Sequence, residues 1–212
     1  MSYFNRKLNQ IITPETQLKG IRDCHVPGLH SIVLREGHDG LLTRVYLAER
    51  DHKLNFNGTP NKNMTLGIHG HRTGIRITGL LGVMVNHTYE THPGGNGAFE
   101  IERCTYDSKI KGGSGTLIRG EQTTLYRADS TELRPWSRTW MEASELHTVW
   151  VPMGLRASWL IDEYPADAAH DPSCYTMNPE YSPEGMYTPM DHTECLRLLG
   201  QFGYIPENPE VK

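Results

Sequence analysis

Short stretches rich in β-branched and aromatic residues recur along most of this chain. They are HSIVL (30–34), LLTRVYLAE (41–49), MTLGIHGH (64–71), GIRITGLLGVMVNHTYE (74–90), AFEIERCTY (98–106), GTLIRG (115–120), QTTLYRA (122–128), LHTVWVP (146–152) and ASWLIDE (157–163). Turn-forming stretches such as EGHDG, FNGTPNKN, HPGGNG, KGGSG and VPMGLR separate them. Closely spaced short strands with few helices predict an all-β protein, an antiparallel barrel or sandwich.

The pattern changes after residue 163. A proline-rich stretch over 164–190 predicts ordered coil wrapped on the barrel, because its Tyr175, Tyr181 and Tyr187 need burial. DHTECLRLLGQFGY (191–204) then reads as a helix. Asp191 caps its start, Glu194 three residues on completes a capping box, Leu196, Leu199 and Phe202 form the apolar stripe, and Gly203 ends it. The expected organisation is a single domain over 1–212, with a core at about 28–165 and a C-terminal extension and helix over 166–212.

Composition narrows the function classes. The 212 residues carry a formal net charge of −4 and no basic run, which disfavours nucleic acid and anionic membranes as partners. No apolar stretch approaches the roughly 20 residues of a spanning helix, and the N-terminal MSYFNRKLNQII lacks a signal-peptide core. A cytoplasmic location is expected, with Cys24, Cys104, Cys174 and Cys195 as free thiols, widely spaced and without a CxxC pair.

The eleven histidines raise the question of metal. On a strand, residues i and i+2 share a face, so His69 and His71 project side by side with Gly70 on the other face. Two imidazoles are too few for a useful site. His147, alternating with Val149 and Val151 on an otherwise apolar strand face, supplies a third, and barrel closure brings distant strands together. Neutral imidazole is available to ligate at pH 7. His87 is the best spare ligand; His25, His30, His38, His52, His92, His170 and His192 sit in turn-like surroundings and are expected at the surface. Trp136, Trp140, Trp150 and Trp159 are expected to pack in the core or at the barrel mouth. GGNG and GGSG lack the strand–helix context and lysine of a phosphate loop, and no GxSxG elbow is present.

An HxH on one strand with a third histidine on a later one resembles the double-stranded β-helix, or cupin, superfamily. More narrowly, IHGHRTGIRITGLLG and LHTVWVPMGLRASWLIDEYP are similar to the two motifs of cysteine dioxygenase-type thiol dioxygenases, and LLTRVYL to that family's Thr-Arg strand. The resemblance covers about residues 40–165. It implies a metal-binding cupin with His69, His71 and His147 as ligands, iron(II) as the ion, and Arg44 as the fork for a substrate carboxylate. Zinc, nickel or manganese would suit the same ligands.

The chain also departs from the family. Where the catalytic tyrosine falls, this sequence has Asp162, with Tyr164 two residues later; Arg76 stands where animal members carry a cysteine. HTYETHPGGNGAFEIERCTYDSKIKGGSG (87–115) looks inserted, and the broader motif's glutamate is absent. A neutral three-histidine site leaves the ion its full charge and open positions, which favours an anionic bidentate ligand. The function expected is a non-haem iron dioxygenase acting on a small thiol or carboxylate-bearing molecule, with Arg44 orienting it and Tyr164 or Asp162 tuning proton transfer. A non-catalytic binding module, or a metal-dependent isomerase or hydrolase, remains the alternative. The expected partners are a small-molecule substrate and, by family analogy, a second copy in a homodimer.

Overall fold

The computed structural model describes residues 17–52, 54, 67–92, 98–107, 116–165, 173–176 and 187–205. In chain order the strands are β1 (Lys19–Arg22), β2 (Leu29–Glu36), β3 (Leu42–Ala48), β4 (Ile68–His69), β5 (Ile75–Leu81), β6 (Met84–Glu90) and β7 (Ala98–Asp107). They continue with β8 (Thr116–Leu133), β9 (Arg138–Met141), β10 (Leu146–Trp150), β11 (Ala157–Glu163), β12 (Cys174–Thr176) and β13 (Thr188–Met190), and helix α1 (His192–Gln201) follows. All the pairings are antiparallel.

Seven strands form one sheet in the order β13-β1-β2-β3-β11-β5-β9, and six close on themselves in the order β10-β4-β12-β7-β8-β6. This is the all-β barrel architecture, with its terminal helix, that the pattern of short strands predicts.

Period-2 alternation sorts the first sheet into two faces. Val45 and Leu47 of β3, with Ile32 and Leu34 of β2, point outward into a cluster closed by Leu198, Leu199 and Cys195 of α1. Leu29, Ala48, Ile77, Trp159 and Ile161 point inward, where Met84, Leu133 and Met141 meet them. Each fully buried aliphatic side chain of this kind contributes about 1.5–3 kcal/mol. The helix is therefore held by its burial on the sheet as well as by its cap, in which the Asp191 carboxylate accepts from the Glu194 backbone N–H at 2.9 Å. The Glu194 side chain does not complete the box; it pairs instead with Arg22 of β1. Gly203, at φ +73°, turns the chain after the helix, and Tyr204 then returns its hydroxyl to Ser158 of β11.

Several element boundaries differ from the sequence pattern. The apolar run over 74–90 is two strands, split at Gly82. This residue has φ +69°, and a Cβ there would meet the Arg156 carbonyl, so only glycine fits. GTLIRG and QTTLYRA are one strand, β8, which pairs first with β7 and then with β6. Gly120 sits inside it because the Arg103 carbonyl approaches to 2.7 Å from where its Cβ would lie, beside a register shift between Glu102 and Cys104. The 87–115 stretch is no appendage, since β7 pairs with both β8 and β12.

The C-terminal extension supplies β12 and β13 to the two sheets. Tyr175 and Tyr187 are buried as expected; Tyr181 lies outside the described residues. Cys24 and Cys195 are buried free thiols, Cys174 is also buried, and burial pushes the Cys24 thiol up to about 12. The side chain of Cys104 is outside the described set. Trp159 is core, whereas Trp136 and Trp140 are about half exposed, at 49% and 47%. Among the described residues, no helix is long and apolar enough to cross a membrane.

Candidate metal centre

Strand β4 is only two residues long, and it lies between β10 and β12. His69 is paired with His147 on one side and with Cys174 on the other. Beyond it the chain leaves the ladder: Gly70 N–H donates to the Ser173 carbonyl at 2.9 Å and His71 N–H to the Ala143 carbonyl at 3.0 Å. His71 is thus placed by this pinned bend rather than by strand alternation. Of the expected strand over 64–71, the described residues 67–71 hold strand only at Ile68–His69, and 64–66 lie outside the described residues. The reason is that β10 and β12 contact β4 only around Ile68 and His69.

The three rings converge. Their candidate ligand nitrogens lie within 4.8 Å of one another, and among the described residues this is the group of histidine, cysteine or carboxylate side chains so placed. Ring centroids are 5.1 Å apart for His69 and His71 and 4.9 Å apart for each of them with His147. His71 Nε2 and His147 Nε2 are 2.9 Å apart. Two nitrogens bound to one ion at about 2.1 Å and at a right angle would be separated by about 3.0 Å, so this spacing suits adjacent ligands.

His147 is oriented from behind: its Nδ1 is 2.6 Å from Asn86 Oδ1. The carboxamide oxygen only accepts, so Nδ1 carries the hydrogen and Nε2 presents its lone pair to the cluster. His69 Nδ1 is buried without a hydrogen-bond partner among the described residues. Burial holds the rings neutral. It lowers His69 to about 4 and, with His69 as a like-charge neighbour, His71 to about 3. His147 is also pushed well below the ordinary histidine value, by burial first and then by His71, His69 and His25. Three neutral, converging imidazoles with an oriented tautomer fit a divalent transition metal, iron(II) and zinc included.

A cavity of about 170 Å³ opens over the rings. The histidines form its floor; Tyr46, Trp159 and Ile161 of the first sheet form the facing wall. Tyr46 lies parallel to Trp159, with ring centroids 5.7 Å apart.

The other residues singled out from the sequence are placed differently. Arg44 is two positions from Tyr46 on the same strand and is bound by Glu163 at 2.7 Å, outside the cavity lining. Asp162 alternates with the inward Ile161 and Glu163 and points to the outer face. There its carboxylate accepts from Thr43 at 2.8 Å and from Arg76 at 2.7 and 3.0 Å. Tyr164 packs its ring against Trp140 and Arg76 on that face. Neither side chain joins the histidine cluster.

His87 stays outside the cluster, buried, with Nδ1 2.7 Å from Ser130 Oγ. His30 and His52 are also buried rather than superficial. His30 lies on β2 on the face of Ile32 and Leu34, with Nδ1 accepting from Asp23 N–H at 3.2 Å, and His52 Nδ1 accepts from Leu54 N–H. His38 and His92 are exposed, His192 is half-buried, and His170 is outside the described residues.

Two partners of the cluster escaped the sequence reading. Asn86 is one; a polar residue at a buried, alternating position of β6 was the available signal. His25 is the other. Half-buried, it lines the cavity, stacks on His69 with centroids 5.0 Å apart, and is fixed through Nδ1 by the Tyr187 hydroxyl at 2.8 Å. Its backbone has φ +70°, and Asp23 and Tyr187 are likewise left-handed at +52° and +55°. Such strain persists only where surrounding contacts hold it, as they do here. The stretch DCHVPG announces a turn, but nothing local in it announces a partner 162 residues away.

The fold and site define an all-β barrel with a candidate three-histidine metal centre. No protein-family model matches the chain, and no curated protein matches it. Among solved structures, the chain is similar to the hydroxypropylphosphonic acid epoxidase from S. wedmorenis. The two are 12% identical, with 72% of this chain and 58% of that one covered and a TM-score of 0.40. It is also similar to hydroquinone 1,2-dioxygenase from Sphingomonas sp. TTNP3 (9% identity, 63% and 64% covered, TM-score 0.33) and to oxalate decarboxylase from Lactobacillus farciminis (11%, 91% and 42%, 0.33). The chain spans a little over half the length of the epoxidase and under half that of the decarboxylase.

Proposed function

We propose that this protein is a metal-dependent enzyme of the cupin type, a non-haem iron oxygenase that acts on a small molecule bearing an anionic chelating group such as a thiolate or carboxylate. One observation carries the reading: three neutral imidazoles converge at the floor of a cavity large enough for a small molecule. His69, His71 and His147 would hold the ion. Iron bound there would supply open coordination positions and redox chemistry with dioxygen.

The residues divide the remaining work. Asn86 sets the tautomer of His147, and the stacked His25 restricts the plane of the His69 ring. The ligand set contributes no negative charge, so an anionic substrate group is the natural complement to a divalent ion. Tyr46, Trp159 and Ile161 keep water from the opposite wall. Arg44 serves a substrate carboxylate only by exchanging its bond to Glu163 for it, which makes its role conditional on that pair opening.

The test is metal retention followed by turnover. Protein loaded anaerobically with iron(II) and desalted is expected to hold about one equivalent, and His147→Ala to lose it while keeping its fold. Oxygen uptake with cysteine, cysteamine and 3-mercaptopropionate then tests the thiol version. Retention no better than that of His147→Ala removes the proposal.

A further inference from the structure

The cavity says more about the substrate than the ligands do. Among the described residues, its lining beyond the three cluster histidines carries no carboxylate, lysine or arginine: Leu29, Leu54, Val149 and Ile161 are aliphatic, Tyr46 and Trp159 are aromatic, and Thr148 and His25 are polar. An apolar cavity of about 150 Å³ holds a benzene ring, and this one measures about 170 Å³. The polar groups lie at the floor, where His25 stands beside His69, while the opposite wall is hydrocarbon and ring face.

The opposite charges of Arg44 and Glu163, on the strands that carry Tyr46 and Ile161, neutralise each other at 2.7 Å and do not line the space. A zwitterion such as an amino acid would bring an ammonium and a carboxylate into this cavity with no charged partner among the described lining residues, and a buried unpaired charge is costly.

We propose that the substrate is a small molecule with one chelating head and an uncharged body of about the size of a single aromatic ring. The head meets the histidine-held ion and the body lies against Tyr46 and Trp159. This inference rests on the metal-centre reading above and deepens it. It assigns Tyr46 as a specificity-determining residue, because its ring lines the cavity and lies parallel to that of Trp159, with which it forms the aromatic part of the lining.

The experiment uses two chelators with one head and different bodies, benzohydroxamate and acetohydroxamate, titrated calorimetrically into zinc-loaded full-length protein. Burial of the ring is expected to make benzohydroxamate bind at least about tenfold more tightly. Tyr46→Phe is expected to keep that preference, and Tyr46→Ala to lose most of it. A preference below tenfold in the wild type overturns the inference, and because it is read without any variant it does not depend on a variant's folding. Equally contrary is L-cysteine binding more tightly than benzohydroxamate in a manner that Arg44→Gln abolishes, since that would make the Arg44–Glu163 pair a reader of zwitterions. If zinc and iron are retained no better than by His147→Ala, the metal-centre reading falls and takes this one with it. If metal is retained and the two hydroxamates bind alike, this inference alone falls.

Discussion

His147 and Asn86 meet diagonally across the β10–β6 pair. The register sets His147 against Thr88 and Asn86 against Val149, yet the imidazole Nδ1 and the carboxamide Oδ1 are 2.6 Å apart. Asn86 is in turn oriented by Met141, whose Sδ lies 3.3 Å from its amide nitrogen. Partners of this kind commonly set metal affinity by a factor of about 10–100. Asn86→Leu is therefore expected to weaken zinc or iron(II) binding by that factor, while Asn86→Asp, which keeps an acceptor, stays closer to wild type. Competition with a chromogenic chelator measures it.

Among the buried histidines, metal dependence separates His147 from His87. Both are nearly inaccessible, but His87 is turned to Ser130. His87→Asn is expected to leave metal content unchanged, and His147→Ala to reduce it to background. Elemental analysis of desalted protein checks both, with circular dichroism as the control for folding.

Acid is expected to destabilise the metal-free protein before its carboxylates titrate. His69 and His71 are depressed to about 4 and about 3 in the folded chain, chiefly by burial. Above the ordinary histidine value of about 6.5, folded and unfolded chains are both neutral at these positions, and neither ring affects stability. As the pH falls below it, the unfolded chain takes up protons that the folded one refuses. Stability is therefore lost progressively from about pH 6.5 down to about 4 for His69 and about 3 for His71, with a limiting slope near 1.4 kcal/mol per pH unit for each ring. Urea midpoints measured across this window are expected to show the decline, and His71→Gln to show a shallower one.

Asp162 serves the sheet. Its carboxylate joins Thr43 of β3 to Arg76 of β5 across β11. Asp162→Asn is expected to cost about 1–2 kcal/mol in stability and to leave metal affinity unchanged. Thermal unfolding and chelator competition on the same variant separate the two effects. A loss of affinity with unchanged stability would return Asp162 to the site.

The all-β class was legible because alternation is a local property: Val45 and Leu47 on one face of β3, Tyr46 on the other, can be read from seven letters. The convergence of His69 and His147 was legible for a related reason, as each interrupts an apolar strand pattern, whereas His71 reaches the cluster through a bend that the alternation does not show. The supporting contacts were not. Asn86 reaches His147 diagonally, His25 depends on Tyr187, and Asp162 is separated from the cavity by the parity of a single position. Motif alignment placed Asp162 and Tyr164 near the site by counting along the chain, and a count does not register which way the pleat turns. The proline-rich stretch was similarly opaque, because three-residue strands such as β12 exist only through the neighbours they pair with.

That last strand bears on how the centre is made. His69 has one side of its backbone ladder on β10 and the other on β12, and Gly70 donates to Ser173. During synthesis the histidines of the floor emerge well before the segment that braces them. The barrel walls can pair as they leave the ribosome, but the floor cannot set until residue 176 is free. Loading the ion is thus tied to the emergence of β12, and a chain cut short after β11 would carry all three imidazoles without the brace that aligns them.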